Sequence, residues 1–241
     1  MTRLSFAQCS VVIFGVLTAS LSLAENIVQG EAFDLESGAL LYTEEHQYQG
    51  EFGHKVIYRE SNGETFAVKS LNYQPSFTAP AFEQNNFRQG ELIKVIDQND
   101  DRFLLEYQKN AKAKLKQGEL AITPNLVIDA GFDNLVRQQW SYLTSGETLV
   151  FPYLLPTRLR PVNLSIRSID CSFTSATETT KPLKKVCFKI APKQWLIKQL
   201  TSPLLLTYST ESRQLLEFVG RSNIADKNGR YQDVRITYRY P

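Results

Sequence analysis

Several residue types and patterns are scarce or missing in this chain, and each absence excludes something. Only two of the 241 residues are histidine, His46 and His54, and three are cysteine. There is no G-x-S-x-G elbow, H-E-x-x-H pair, glycine-rich phosphate loop or C-x-x-C pair, so the common nucleophile, zinc-hydrolase, nucleotide and dithiol chemistries have no anchor. Charge is nearly balanced, 27 basic against 25 acidic residues. That gives no electrostatic reason to expect nucleic acid or an anionic membrane as a partner. The basic run KNAKAKLK, Lys109 to Lys116, alternates like the wet face of a strand. After residue 24 no stretch is apolar for long enough to form a transmembrane helix. Internal repeats and low-complexity linkers are absent too.

The first 24 residues stand apart. Arg3 precedes a short apolar core, Val11 to Leu17, and Ser22-Leu23-Ala24 offers small residues where a signal peptidase reads them. The pattern predicts cleavage after Ala24, export to the periplasm, and a mature chain, residues 25–241, that forms a single domain. Cys9 falls inside the leader without the context of a lipid-attached cysteine. Cys171 and Cys187 remain, and an oxidising compartment makes a disulfide the expectation. A hairpin centred near Thr179 sets them opposite one another, and closing that loop contributes about 3 kcal/mol. Strand parity opposes the pairing, because Cys171 shares a face with Ile169 and Phe173 but Cys187 with Lys185 and Lys189. A bulge near Arg167-Ser168, where the apolar parity flips, is predicted to repair the mismatch.

What the mature chain does contain is strands. Runs at 39–48, 55–60, 65–73, 91–97, 102–108, 148–155, 204–210, 214–220 and 233–240 are punctuated by turn residues. A further pair at 111–115 and 119–122 is predicted to turn through Gln117-Gly118. Residues 74–82 (QPSFTAPAF) read as a loop by their two prolines, and Pro152, Pro156 and Pro161 mark an edge or bend. One segment has a helical period: Phe132, Leu135, Val136, Trp140 and Leu143 gather on one face of a helix at about 129–145. Asp129 or Asp133 is placed to cap it, Gly146 to end it, and Asp133–Arg137 forms an i, i+4 pair on the wet side. A second short helix is predicted at about 192–200. Together these give a mainly β fold: a curved antiparallel sheet or open barrel wrapped around one central amphipathic helix.

The last third carries a recognisable pattern. A W-x-x-x-x-L segment, Trp195 to Leu200, precedes the strand LLLTYS. Then L-L-E-F-x-G-R-S-N-I, Leu215 to Ile224, leads to an alternating strand. This resembles uncharacterised bacterial periplasmic proteins containing a domain of unknown function. More distantly it is similar to the half-barrel lipoprotein carriers of the LolA/LolB kind. The resemblance implies a curved sheet that wraps helices and shelters acyl chains, although here only one strong helix is present.

Two functions follow as expectations, neither of them enzymatic. In the first, the sheet and helix enclose an apolar or lipid ligand, lined by Phe132, Val136, Trp140, Leu143, Phe77, Phe82, Phe151 and Tyr153. In the second, those side chains fill the interior and the protein is an envelope structural or protein-interaction domain. Arg221, Ser222, Asn223 and Asp226 form a polar cluster, read either as an ordered turn or as a recognition loop for a partner protein. Glu44, Glu45, His46 and His54 sit on one hairpin, but their spacing matches no metal site, and a solvated hairpin is expected. No cofactor or metal is expected.

Overall fold

The computed structural model describes residues 27–173, 184–193 and 203–241. The predicted leader, the turn between the cysteines and most of the predicted helix at 192–200 lie outside the described residues; Pro192 itself ends a strand. A first arm of eight strands runs β1 (Ile27–Asp34), β2 (Leu40–Gln49), β3 (Gly53–Arg59), β4 (Thr65–Asn72), β5 (Ala81–Asn86), β6 (Glu91–Asp97), β7 (Arg102–Gln108) and β8 (Lys116–Ala121). Two helices follow, α1 (Gly131–Gln138) and α2 (Trp140–Thr144). A second arm runs β9 (Leu149–Leu155), β10 (Arg160–Ile169), β11 (Lys185–Pro192), β12 (Leu204–Ser209), β13 (Leu215–Ala225) and β14 (Tyr231–Arg239).

Within each arm every strand pairs antiparallel with its neighbour in sequence, and β1 pairs with β14, giving one 14-stranded sheet. The chain thus starts at the middle of the sheet, winds out to the β8 edge, crosses to the β9 edge and winds back to the middle. No ladder joins β8 to β9 among the described residues, so the sheet is curved but not closed into a barrel. The crossing segment runs through the concavity. Val127 donates to the Pro152 carbonyl and accepts from Leu154 (2.9 Å each), bridging parallel to β9. That explains why a proline is tolerated in β9, an edge strand whose ladder on this side is a short bridge.

The single long helix expected at 129–145 is two short ones. The i→i−4 bonds Gln139 N→Leu135 O and Leu143 N→Gln139 O continue through the junction, but Gln139 has φ −97° and ψ 17°. Packing decides the break, because beyond it Trp140 meets Phe188 and Tyr208 edge-on at centroid distances of 6.0 and 6.1 Å. Gly146, with φ +96°, lies just beyond the end of α2. Neither aspartate caps α1, which begins without a side-chain cap; both carboxylates are taken by cations, as described below. At the start of α1 the backbone passes so close to the 74–80 loop that a Cβ on Gly131 would lie 1.9 Å from the Thr78 carbonyl oxygen.

Other expectations need correction. Residues 81–86 form β5 rather than the end of a loop. Its inward row was hidden because Gln84 and Asn86 are polar, yet their side-chain amides donate across the concavity to the carbonyls of Asn223 (3.0 Å) and Ala225 (2.8 Å). Ile27–Asp34 is also a strand. Residues 111–115 are not: Ala111 N bonds Gln89 O and the Gln108 amide bonds Ala113 O, pinning a loop, and β8 runs straight through Gln117-Gly118. The disulfide is present, with Cα atoms 5.3 Å apart. The bulge proposed to allow it is absent, since β10 and β11 pair without a shift from Leu164↔Pro192 to Ile169↔Cys187. Cys171 lies two residues beyond the end of β10, where strand parity no longer dictates its direction.

Candidate functional site

Between α1 and the inward rows of both arms lies a cavity of about 590 Å³. Its two walls differ in chemistry. The second arm contributes Phe151, Leu164, Ile190, Leu204, Phe218 and Ile236, one inward residue from each of its six strands. The first arm contributes Glu44, His46 and Tyr48 from β2, His54, Val56 and Tyr58 from β3, and Lys69 from β4. Tyr48 and Phe77, half exposed, stand at the rim, where the β2–β3 turn and the 74–80 loop meet solvent.

The expected solvated hairpin is instead part of this interior. Glu44 and His54 are 4% and 5% exposed. His46 sits between them, its Nε2 3.1 Å from Glu44 Oε2 and its Nδ1 3.0 Å from His54 Nε2, while His54 Nδ1 lies 3.5 Å from the Tyr73 hydroxyl. Tyr238 donates its hydroxyl to the same Glu44 oxygen at 3.3 Å. In the neutral state the tautomers follow from the network. Glu44 only accepts, so His46 Nε2 donates; His46 Nδ1 then accepts from His54 Nε2–H, and His54 Nδ1 accepts from Tyr73. Burial pushes His54 down to about 3, reinforced by His46 and Lys69, so that ring is neutral at physiological pH. Burial, together with the charge of Glu44, raises Tyr238 well above the usual phenol range. Gly30 makes room for this contact, since a Cβ there would stand 3.1–3.2 Å from the Tyr238 ring and Glu44.

At the inner end Lys69 Nζ reaches both oxygens of Asp129 at 2.8 Å, and the Asn223 amide donates to the same carboxylate at 3.3 Å. Lys69 is 1% exposed and Asp129 8%. Asp129 also adopts φ +45°, which an aspartate tolerates better than most residues. The ion pair therefore ties the crossing segment to β4 at a strained corner. On α1, Asp133 and Arg137 pair at 2.7 Å as their spacing predicts. They are solvent-accessible and also line the cavity, with Tyr208 donating to Asp133 at 3.0 Å. Burial raises Asp133 above the ordinary carboxyl range, against the opposing pull of Arg137.

Of the aromatic and apolar residues proposed as lining, Phe77, Phe132, Phe151 and Tyr153 lie on the cavity wall. Phe82, Val136, Trp140 and Leu143 are buried in the packed core instead. Arg221, Ser222 and Asn223 belong to an irregular stretch of β13 rather than to a loop, and all three reach the cavity. Asp226 does not; its carboxylate accepts from Asn228 N (2.8 Å) and Arg230 N (2.9 Å) and shapes the turn to β14. The polar row Glu44–His46–His54 had a visible signal. His54, Val56 and Tyr58 share one strand face, which places the histidine inward with its apolar neighbours. Among the described residues no three His, Cys, Asp or Glu side chains are placed to hold a metal ion together.

No family model matches the chain, and no curated protein matches it by sequence. Its fold does have a solved counterpart. The chain is similar to the crystal structure of a beta-barrel-like protein of the domain of unknown function DUF1849 from Brucella abortus, at a TM-score of 0.54 and 9% identity over 90% of this chain and 97% of that one. At that identity the likeness is one of fold: a mainly β, barrel-like sheet. Among the described residues no helix is long and apolar enough to cross a membrane.

Proposed function

We propose that this is an exported, periplasmic binding protein that holds an apolar or lipid ligand in the concavity of its sheet, without catalysing a reaction on it. The cavity carries this reading. At about 590 Å³ it falls within the roughly 300–1,000 Å³ range of small-molecule sites, and each strand of the second arm sets an aliphatic or aromatic side chain on its wall, the polar exceptions being clustered on β13. The Cys171–Cys187 disulfide and the leader pattern of residues 1–24 support an oxidising compartment outside the cytoplasm. The resemblance to lipoprotein carriers points the same way. In this reading the histidines, bonded to each other and to Glu44 and Tyr73, shape the polar side of the binding site.

Native mass spectrometry of protein purified from the envelope, followed by solvent extraction, tests the proposal. The expected result is a co-purifying lipid, or at least stabilisation by added fatty acid, amine amphiphile or phospholipid. A clean apo mass with no such stabilisation overturns it.

A further inference from the structure

We infer that the polar end of the ligand is a cation of the ammonium type, seated against Glu44 and the aromatic rings around it, with the ligand's apolar chain on the second-arm wall. This rests on the reading of the cavity as an apolar-ligand site and specifies which ligands it takes.

Three observations carry it. First, among the described residues the cavity has no unpaired lysine or arginine to offer an anionic headgroup. Lys69, Arg137 and Arg221 line it, and each is already held by a carboxylate, Asp129 at 2.8 Å, Asp133 at 2.7 Å and Asp233 at 2.8 Å. A carboxylate or phosphate entering the cavity would have to displace one of these partners or remain uncompensated in a poorly solvated space.

Second, Glu44 is buried on the same wall and has no lysine or arginine partner among the described residues; it meets only His46 and the Tyr238 hydroxyl. In the neutral network every hydrogen bond of the Tyr73–His54–His46 chain is polarised toward this one carboxylate. In that network the chain brings dipoles rather than a lysine or arginine to Glu44, an arrangement in which a ligand cation can add its charge.

Third, the two histidines that lead to Glu44 are flanked by aromatic rings. Tyr48 stacks on His54 at 4.4 Å between centroids, Tyr73 continues the stack at 6.3 Å, and Tyr238 meets His46 edge-on at 5.7 Å. Aromatic faces beside a carboxylate are the surroundings in which alkylammonium groups bind well. The half-exposed Tyr48 places one such face at the entrance.

Calorimetric titration of the delipidated full chain with three twelve-carbon amphiphiles below their micelle-forming concentrations tests the inference: dodecyltrimethylammonium, dodecanoate and dodecyl maltoside. The ammonium compound is expected to bind about tenfold or more tightly than either of the others. Glu44→Gln should collapse that preference to within about threefold. Should this variant fail to fold, Tyr48→Leu at the rim serves instead and should reduce the preference several-fold. Dodecanoate binding as tightly as the ammonium compound, or a preference that survives both substitutions, overturns the headgroup assignment and leaves the cavity reading standing. Failure of all three to bind overturns the cavity reading itself.

Discussion

On the second-arm side of the concavity Trp140, Phe188 and Tyr208 meet edge-on, with centroids 5.8–6.1 Å apart. The first arm packs Tyr42, Tyr58 and Phe66 in the same way at 6.0–6.1 Å, but beside the cavity its inward rings are His46, His54 and Tyr73. They are joined by hydrogen bonds to one another and to Glu44, so they stack along the sheet. The two regions have the same backbone geometry and opposite outcomes. Rings that meet edge-on close against the helical segment, Tyr208 also bonding Asp133 of α1, and exclude space. Rings tied into a hydrogen-bonded row stay against their strands, and the space between them and α1 remains open. Hollowness here is a property of side-chain chemistry more than of sheet curvature.

Substitutions on the two sides of the helical segment test this contrast most severely. Trp140→Ala should destabilise by about 3–5 kcal/mol, the usual cost of emptying a packed aromatic site. Phe132→Ala, which removes a partly buried ring from the cavity wall, should cost about 1 kcal/mol. Urea unfolding of both variants measures the difference, and equal losses would mean that the first-arm side is packed as well. Next in size is the inner ion pair. Lys69→Met leaves Asp129 buried without its cation and should destabilise by about 3 kcal/mol, whereas Lys69→Met combined with Asp129→Leu should recover much of that loss. A double variant no better than the single one would show that the pair does more than balance charge.

After the ion pair comes a pH dependence. His54 titrates near 3 in the folded chain and near 6.5 when unfolded, so below pH 6.5 the unfolded state takes up a proton that the folded state refuses. Stability contributed by neutral His54 is complete above the unfolded value and falls with pH toward about 3. The loss amounts to about 2 kcal/mol between pH 7.5 and 5. Replacement by asparagine should flatten the profile by that amount across the interval, and an unchanged slope would show that His54 is not held neutral.

Much of the fold was legible from strand alternation and one helical period, because those signals reflect one-sided burial. The misses share a cause. β5 has inward Gln84 and Asn86, and β2 has inward Glu44 and His46, so polar residues stand where alternation requires apolar ones. Their partners are carbonyls on β13 and the Tyr238 hydroxyl on β14, far away in sequence, and His54 across the β2–β3 hairpin. The period predicts a continuous helix because Trp140 keeps it, although the rings that Trp140 packs against break the geometry. Four of the eight lining candidates face the cavity. Sequence separates an inward residue from an outward one, but not one that meets the helix from one that faces open space.

The order of the strands also bears on how the molecule comes to exist. Each arm pairs strands that follow one another in sequence, contacts of low sequence separation that form early. One ladder in the sheet has no such help: β1 meets β14 with Ala32 opposite Ile236 and Gln29 opposite Arg239, some two hundred residues apart. During synthesis β1 is therefore made with one edge open and waits for almost the entire chain before that edge is covered. Glu44 and His46 come from the arm made first, and Tyr238, Ile236 and Phe218 from the strands made last. The cavity has no earlier partial form, and it appears only when this final ladder closes.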